Sequence, residues 1–145
     1  MDHLRDQPLP FRGCKIAVLR GSELLVYRRD ERPDIPFPGL WDLPGGGREG
    51  AETPEACVLR ELGEEFALGL DPGRLIYRRR YADPEGGSAT YFFAARLADS
   101  EVRAIRFGSE GQAWRMMPVA AYLGHPHAVP HLKLRLGACL AEMGR

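Results

Sequence analysis

A glycine run leading into a glutamate-rich helix constrains this chain more than any other feature. Residues 45–70, GGGREGAETPEACVLRELGEEFALGL, hold six glutamates, and Glu61, Glu64 and Glu65 crowd into the last turns of the helix with no lysine among them. The helix has a strong local start. Thr53 is placed to cap it, Pro54 suits its first position, and Glu55 suits the positive end of its dipole. It is expected to run to about Leu68 and to stop at Gly69. At about 100° per residue, Ala56, Leu59, Leu62 and Phe66 form an apolar stripe for the core, and the three glutamates fall opposite it within a sector of roughly 100°. A wet acidic face is the ordinary reading of such a charge run. Here Glu61 and Glu65, four residues apart, repel each other and sit where the dipole disfavours negative charge. Arg60 can pair with Glu64, which relieves only part of this. The carboxylates ask for a counter-charge that the local sequence lacks. A hard divalent cation such as Mg²⁺ supplies it, because it takes carboxylate oxygens and commonly shares them with substrate phosphate. Gly45, Gly46 and Gly47 permit close backbone approaches, so that a carbonyl there could reach the same ion.

The rest of the chain reads as one domain. Its 145 residues suffice for a single core, and 44% hydrophobic with 28% charged residues is the balance of a folded globular protein. The formal net charge of zero argues against a nucleic-acid polymer as partner. No stretch has the length and apolarity of a membrane span, and MDHLRDQPLPFRG has no signal-peptide core, so a cytoplasmic protein is expected. Cys14, Cys57 and Cys139 are widely spaced, which predicts buried thiols rather than a zinc site or a disulfide framework. Residues 1–10 read as a loose lead-in and 11–145 as the domain. CKIAVLR and ELLVYRR predict an antiparallel hairpin about Gly21-Ser22. The proline-rich segment from Asp30 to Gly46 predicts a long ordered loop with a short extended piece at Trp41-Asp42-Leu43. RLIYRRRYAD and SATYFFAARL flank PEGG as a second hairpin, SEGQ is a loop, and AWRMMP is a further strand. Short helical turns are expected from Pro118 to Leu123. A final helix is expected from Pro130 to Met143, with Leu132, Leu136 and Leu140 on one side.

These residues resemble the Nudix box, G-x5-E-x7-R-E-U-x-E-E-x-G-U, with U a bulky aliphatic residue. Gly46, Glu52, Arg60, Glu61, Leu62, Glu64, Glu65 and Leu68 fill it at the required spacing, and Ala67 stands where the family has glycine. The preceding LWDLPGG is similar to the family's lead-in. The resemblance implies an α/β fold, an α/β/α sandwich about a central mixed β-sheet. It also implies hydrolysis of a nucleoside diphosphate linked to another group, with Mg²⁺, or Mn²⁺ in its place, as cofactor. By the same resemblance, Glu61, Glu64 and Glu65 are the metal-binding and base-supplying glutamates, and the Gly45 carbonyl is a further metal ligand. Arg60 and Glu52 form a supporting pair that fixes the loop on the helix. Glu110, in SEGQ, corresponds to a catalytic loop glutamate of the MutT-like branch, and Arg29 to a phosphate-contacting arginine. Ala128, in HPHAVP, stands where that branch places a base-reading asparagine, with His125 and His127 beside it. A homodimer is common among such proteins.

On this reading water attacks a phosphorus of the diphosphate and a carboxylate, Glu61, Glu64 or Glu110, takes its proton. Arg78 and Arg80 share one face of their strand and are candidates to hold phosphate charge, a solvated strand edge being the alternative. Tyr81, Tyr91, Phe92 and Phe93 are candidates for a base-stacking wall or for the core. The competing function is a catalytically silent nucleotide-binding module of the same fold that regulates a partner, which would be expected to have lost these glutamates.

Overall fold

The computed structural model describes residues 10–144, so the expected lead-in lies, all but its last residue, outside the described residues. Seven strands form one mixed sheet. Strand β1 (Phe11–Arg20) turns into β2 (Glu23–Arg28), and their antiparallel pairing is confined to the ends beside the turn, Leu19 opposite Leu24 and Arg20 opposite Glu23. Beyond that point the two strands splay. The first half of β1 pairs instead with β4 (Gly45–Gly47), and β2 pairs with β3 (Trp41–Asp42) and with β7 (Ala113–Pro118). On its other edge β1 runs parallel to β6 (Ala89–Arg96), which carries β5 (Leu75–Tyr81) antiparallel at the outside. Both expected hairpins are present. The splay between β1 and β2 matters most, because β4 and the loop before β7 line it.

Alternation along β1 divides the core. Cys14, Ile16 and Val18 face one side, with Cys57, Val58, Leu62 and Phe66 of helix α1 (Pro54–Phe66). Ala17 and Leu19 face the other, with Tyr122 of α3 (Val119–Leu123) and Leu132, Leu136 and Cys139 of α4 (Pro130–Glu142). Helices thus cover both faces of a mixed sheet, the expected sandwich. A short helix that sequence reading did not anticipate, α2 (Asp99–Arg103), follows β6. All three cysteines are buried and unbridged. No described helix is long and apolar enough to cross a membrane.

Helix α1 begins where expected, with the Thr53 hydroxyl accepting from the Ala56 N–H at 3.1 Å. Two expectations about it fail. It ends at Phe66, and the residue that reverses the chain is Ala67, at φ +57°, whose N–H donates to the Gly63 carbonyl. Its buried side is also turned: Ala56 is exposed, while Cys57, Val58 and Glu65 are buried with Leu62 and Phe66. The cause is β4. Cys57, Glu61 and Glu65, on successive turns, all face that glycine strand, which pulls two of the three glutamates out of solvent.

Candidate metal and diphosphate site

Strand β4 is wedged between β1 and α1, with β1 pressing on Gly45 and the Glu61 carboxylate of α1 on Gly46. Gly45 has φ +136°, and a methyl group on it would overlap the Cys14 carbonyl. At Gly46 an added Cβ would sit 2.6 Å from the Glu61 carboxyl carbon. The Gly45 N–H donates to Glu65 Oε1 at 3.0 Å. The helix thereby presents its glutamates at three depths: the Glu65 residue is 7% exposed, while the side chains of Glu61 and Glu64 are 13% and 59% exposed. They do not share one solvent-facing side.

Arg60 organises the outer two. Its guanidinium forks onto Glu52, at 2.6 Å from Nε and 3.1 Å from Nη2, and Nη2 also donates to the Gly47 carbonyl at 2.8 Å. Nη1 reaches Glu61 at 2.9 Å and Glu64 at 3.0 Å. Glu52 itself accepts from the Glu49 N–H, so the pair ties the loop after β4 to the helix. The Arg60 guanidinium, with backbone help, holds the Glu52 carboxyl below the usual range. One arginine therefore reaches more of the cluster than its spacing from Glu64 suggested. It does not reach Glu65.

Loop 104–112 closes the far wall. The Arg106 and Gly108 N–H groups donate to the carbonyls of Phe66 and Glu65, which the end of α1 leaves free. Gln112 anchors the other end, donating to the Arg28 and Arg29 carbonyls. Between these anchors Glu110 enters a cavity of about 420 Å³, whose lining includes Gly45, Glu61, Glu64, Glu65, Lys15 and Arg29. Glu110, distant in sequence, thus joins the three helix glutamates.

A second charged group adjoins the cavity. Asp42, 2% exposed, accepts on Oδ2 from Lys15 at 2.9 Å, Arg29 at 2.8 Å and the Tyr27 hydroxyl at 3.0 Å, and on Oδ1 from the Leu43 N–H at 2.7 Å. Sequence reading gave Asp42 no role. Burial works against its charge, but Lys15 and Arg29 outweigh that and hold its carboxyl below the usual range. Arg29 also donates to the Pro36 carbonyl, so it lines the cavity as an anchored cation.

Within the cavity the balance reverses. Burial raises the Glu65 carboxyl to about 8, against the pull of the Gly45 N–H and Lys15, with Glu61 and Asp42 adding to the rise. Burial also raises Glu61, more than Arg60 lowers it. Among the described residues no three acidic, histidine or cysteine side chains converge closely enough to hold one ion. Arg60 draws Glu61 and Glu64 toward itself while Gly45 holds Glu65. The donor set nonetheless fits a hard divalent cation. It consists of carboxylate oxygens around one cavity, with a glycine cradle that a methyl group would fill and a buried carboxylate that repays deprotonation only if a cation comes close.

Other expected residues lie elsewhere. Arg78 and Arg80 are absent from the lining of the acidic cavity, and Arg78 pairs with Glu55 at 2.7 Å and stacks over Tyr91. Tyr91, Phe92 and Phe93 are core residues on alternate faces of the sheet, and Tyr81 packs against the α4 side. Ala128 is buried, bridging to Trp41.

A mixed sheet between helices, with a glycine strand laid over an acidic helix, defines the class. Residues 11–135 match the NUDIX domain, and the chain belongs to that family. Among its relatives is a Mycobacterium tuberculosis protein named for 8-oxo-dGTP diphosphatase activity, 35% identical over 91 residues, 61% of this chain and 62% of that one. An RNA pyrophosphohydrolase of Acidiphilium cryptum is 48% identical over 78 residues, 48% of this chain and 46% of that one. The chain thus spans between 46% and 62% of the length of these relatives. The MutT protein of Methanosarcina mazei Go1 shares the fold, with a TM-score of 0.69 at 19% identity over 97% of this chain and 99% of that one.

Proposed function

We propose that this protein is a divalent-metal-dependent pyrophosphohydrolase acting on a nucleoside diphosphate linked to another group, with Mg²⁺, or Mn²⁺ in its place, as cofactor. The observation that carries this reading is Glu65. It is a buried carboxylate with its pKa raised to about 8, on the wall of a cavity that holds four further glutamates, Glu49, Glu61, Glu64 and Glu110, and too little positive charge to balance them. The retained glutamates leave the silent-module alternative without support. The names of the relatives, a nucleotide diphosphatase and an RNA pyrophosphohydrolase, support cleavage of a phosphoanhydride and bring RNA 5′ ends into the substrate panel. Three buried thiols fit a reducing, cytoplasmic setting.

Glu61 and Glu65 would hold the cation, with Glu64 and the Gly45 carbonyl as further ligands. A bound Mg²⁺ neutralises diphosphate oxygens and makes a water acidic enough to be deprotonated near neutral pH. Glu64 or Glu110, both on the cavity wall, or Glu61 takes that proton. Lys15 and Arg29 hold positive charge toward the phosphates, while Asp42 keeps them fixed and desolvated. Arg60 and Glu52 keep the loop after β4 against α1.

The test is an assay of phosphate or pyrophosphate release with Mg²⁺ over a panel of nucleoside triphosphates, nucleotide sugars, ADP-ribose, dinucleoside polyphosphates and 5′-triphosphorylated RNA. Cleavage of at least one class is expected, lost in Glu64→Gln or Glu65→Gln. Full activity in both variants, or no product from any class, overturns the proposal.

A further inference from the structure

Across β4 from the acidic cavity lies a larger one, of about 630 Å³, well within the size of small-molecule sites. The two share Lys15, Gly46 and Gly47, so a ligand can reach from one to the other over the glycine strand. Their charges are opposite. The larger cavity is lined by Arg12, Lys15, His131 and Arg135, with no aspartate or glutamate in its lining. Two of these cations have partners: Lys15 has Asp42, and Arg12 has Asp83 at 3.1 Å. Arg135 has none. Its Nη1 donates to the neutral Thr90 hydroxyl at 3.0 Å, its Cζ lies over the Tyr81 ring 4.3 Å from the centroid, and it makes no ion pair among the described residues. Burial lowers Arg135 from the usual arginine range, opposed by Tyr81 and helped a little by Arg12, and His131 is lowered by burial and then by Arg135.

A half-buried guanidinium without a counter-ion is costly. Stacking on Tyr81 orients its plane and leaves donors to spare, because arginine has five N–H groups and only one is engaged here. Such a fork suits phosphate. A neutral sugar or base would leave the charge as it is. A metal ion is excluded by four basic side chains and no carboxylate.

We infer that this basic lobe binds a phosphoryl group that the substrate carries apart from the diphosphate to be cut, and that Arg135 selects for it. The inference rests on the acidic cavity holding that diphosphate. The substrate class is then a nucleotide phosphorylated at a second position of its ribose, the second phosphate lying over β4 from the first. The same chemistry is offered by a terminal 3′-phosphate or by the 3′-phosphodiester of a longer nucleotide.

The experiment is calorimetric binding to the full chain at low salt with Mg²⁺. The probes are adenosine 5′-monophosphate, adenosine 3′,5′-bisphosphate and the 5′-phosphorylated adenosine dinucleotide. The bisphosphate is expected to bind about tenfold more tightly than the monophosphate, the effect of one charge-assisted phosphate contact. Arg135→Met, which keeps an apolar stem against Tyr81, should shrink that gap to within about twofold and leave monophosphate binding unchanged. Arg135→Gln serves if the methionine variant is unfolded in a thermal melt. The dinucleotide tells a terminal from a linking phosphate, and tight binding of either sustains the inference. Equal affinities for all three probes in the wild type, or a gap that survives in the folded variant, overturns it. Binding needs no turnover. A bisphosphate preference in a protein that cleaves nothing defeats the proposed function alone, and an absent preference in an active enzyme defeats this inference alone.

Discussion

Two buried acids sit beside the same cavity, and their surroundings treat them oppositely. Asp42 receives two cations, a tyrosine hydroxyl and a backbone N–H, four donors on its two oxygens. Glu65 receives one backbone N–H and faces further glutamates. Burial costs both of them. At Asp42 the partners outweigh the cost and the carboxyl stays charged, whereas at Glu65 they do not and the proton is held to about 8. The first arrangement is complete as it stands and belongs to the structure. The second is incomplete and marks where the protein expects something from outside. The contrast separates a buried charge that positions from one that acts, and it does so without reference to motif.

The largest effect expected from this contrast is kinetic. Glu65→Gln should lower turnover at least about a hundredfold while leaving the fold intact, since Gln keeps an acceptor for the Gly45 N–H. Asp42→Asn should act mainly on the fold, costing about 3–5 kcal/mol of stability because Lys15 and Arg29 lose their partner, with a smaller loss of turnover than Glu65→Gln. Paired activity assays and thermal melts of the two variants check both. Variants that behave alike would erase the distinction.

Proton linkage sharpens the same comparison. Glu65 titrates near 4.5 when unfolded and at about 8 when folded, so the folded state holds a proton that the unfolded chain releases between those values. Metal-free stability attributable to Glu65 is therefore present below about 4.5 and falls as pH rises toward 8. Denaturant unfolding of wild type and Glu65→Gln across that window should give a stability difference that shifts in favour of the variant as pH increases. Asp42 has the opposite sign: its contribution is lost only in acid, as pH falls through its depressed pKa.

Sequence pattern carried some of this architecture and not the rest, for identifiable reasons. The start of α1 was legible because Thr53, Pro54 and Glu55 are neighbours that cap their own helix. Its end was not, because Ala67 adopts a left-handed conformation that glycine would occupy at less cost, while Gly69 drew the expectation two residues too far. Strand β4 could not be read from three glycines with no strand preference; pairing with β1 creates it. That same strand turns α1 and buries Glu65, so the box glutamates were found by spacing while their unequal burial was hidden. Asp42 was invisible because its partners, at positions 15, 27 and 29, meet it only after β1, β2 and β3 assemble. Glu110 was reached through a resemblance, and its loop is brought in by backbone bonds to the end of α1 that no local pattern announces.

Smaller effects probe the glycine strand and the helix end. Gly46→Ala should push the Glu61 carboxylate aside and reduce turnover by about tenfold with little change in melting, because the obstructed atoms end a flexible side chain. Ala67→Gly should raise stability by about 1 kcal/mol through relief of the left-handed conformation, with activity unchanged.

The central claim is that the unanswered charge around Glu65 awaits a divalent cation. Titration of Mn²⁺ into the protein with a non-hydrolysable nucleotide analogue, followed by calorimetry, tests it most directly. Uptake should strengthen as pH rises toward 8, and Glu65→Gln should weaken it by at least about tenfold. Absence of uptake at any pH, or equal uptake by the variant, would contradict the claim.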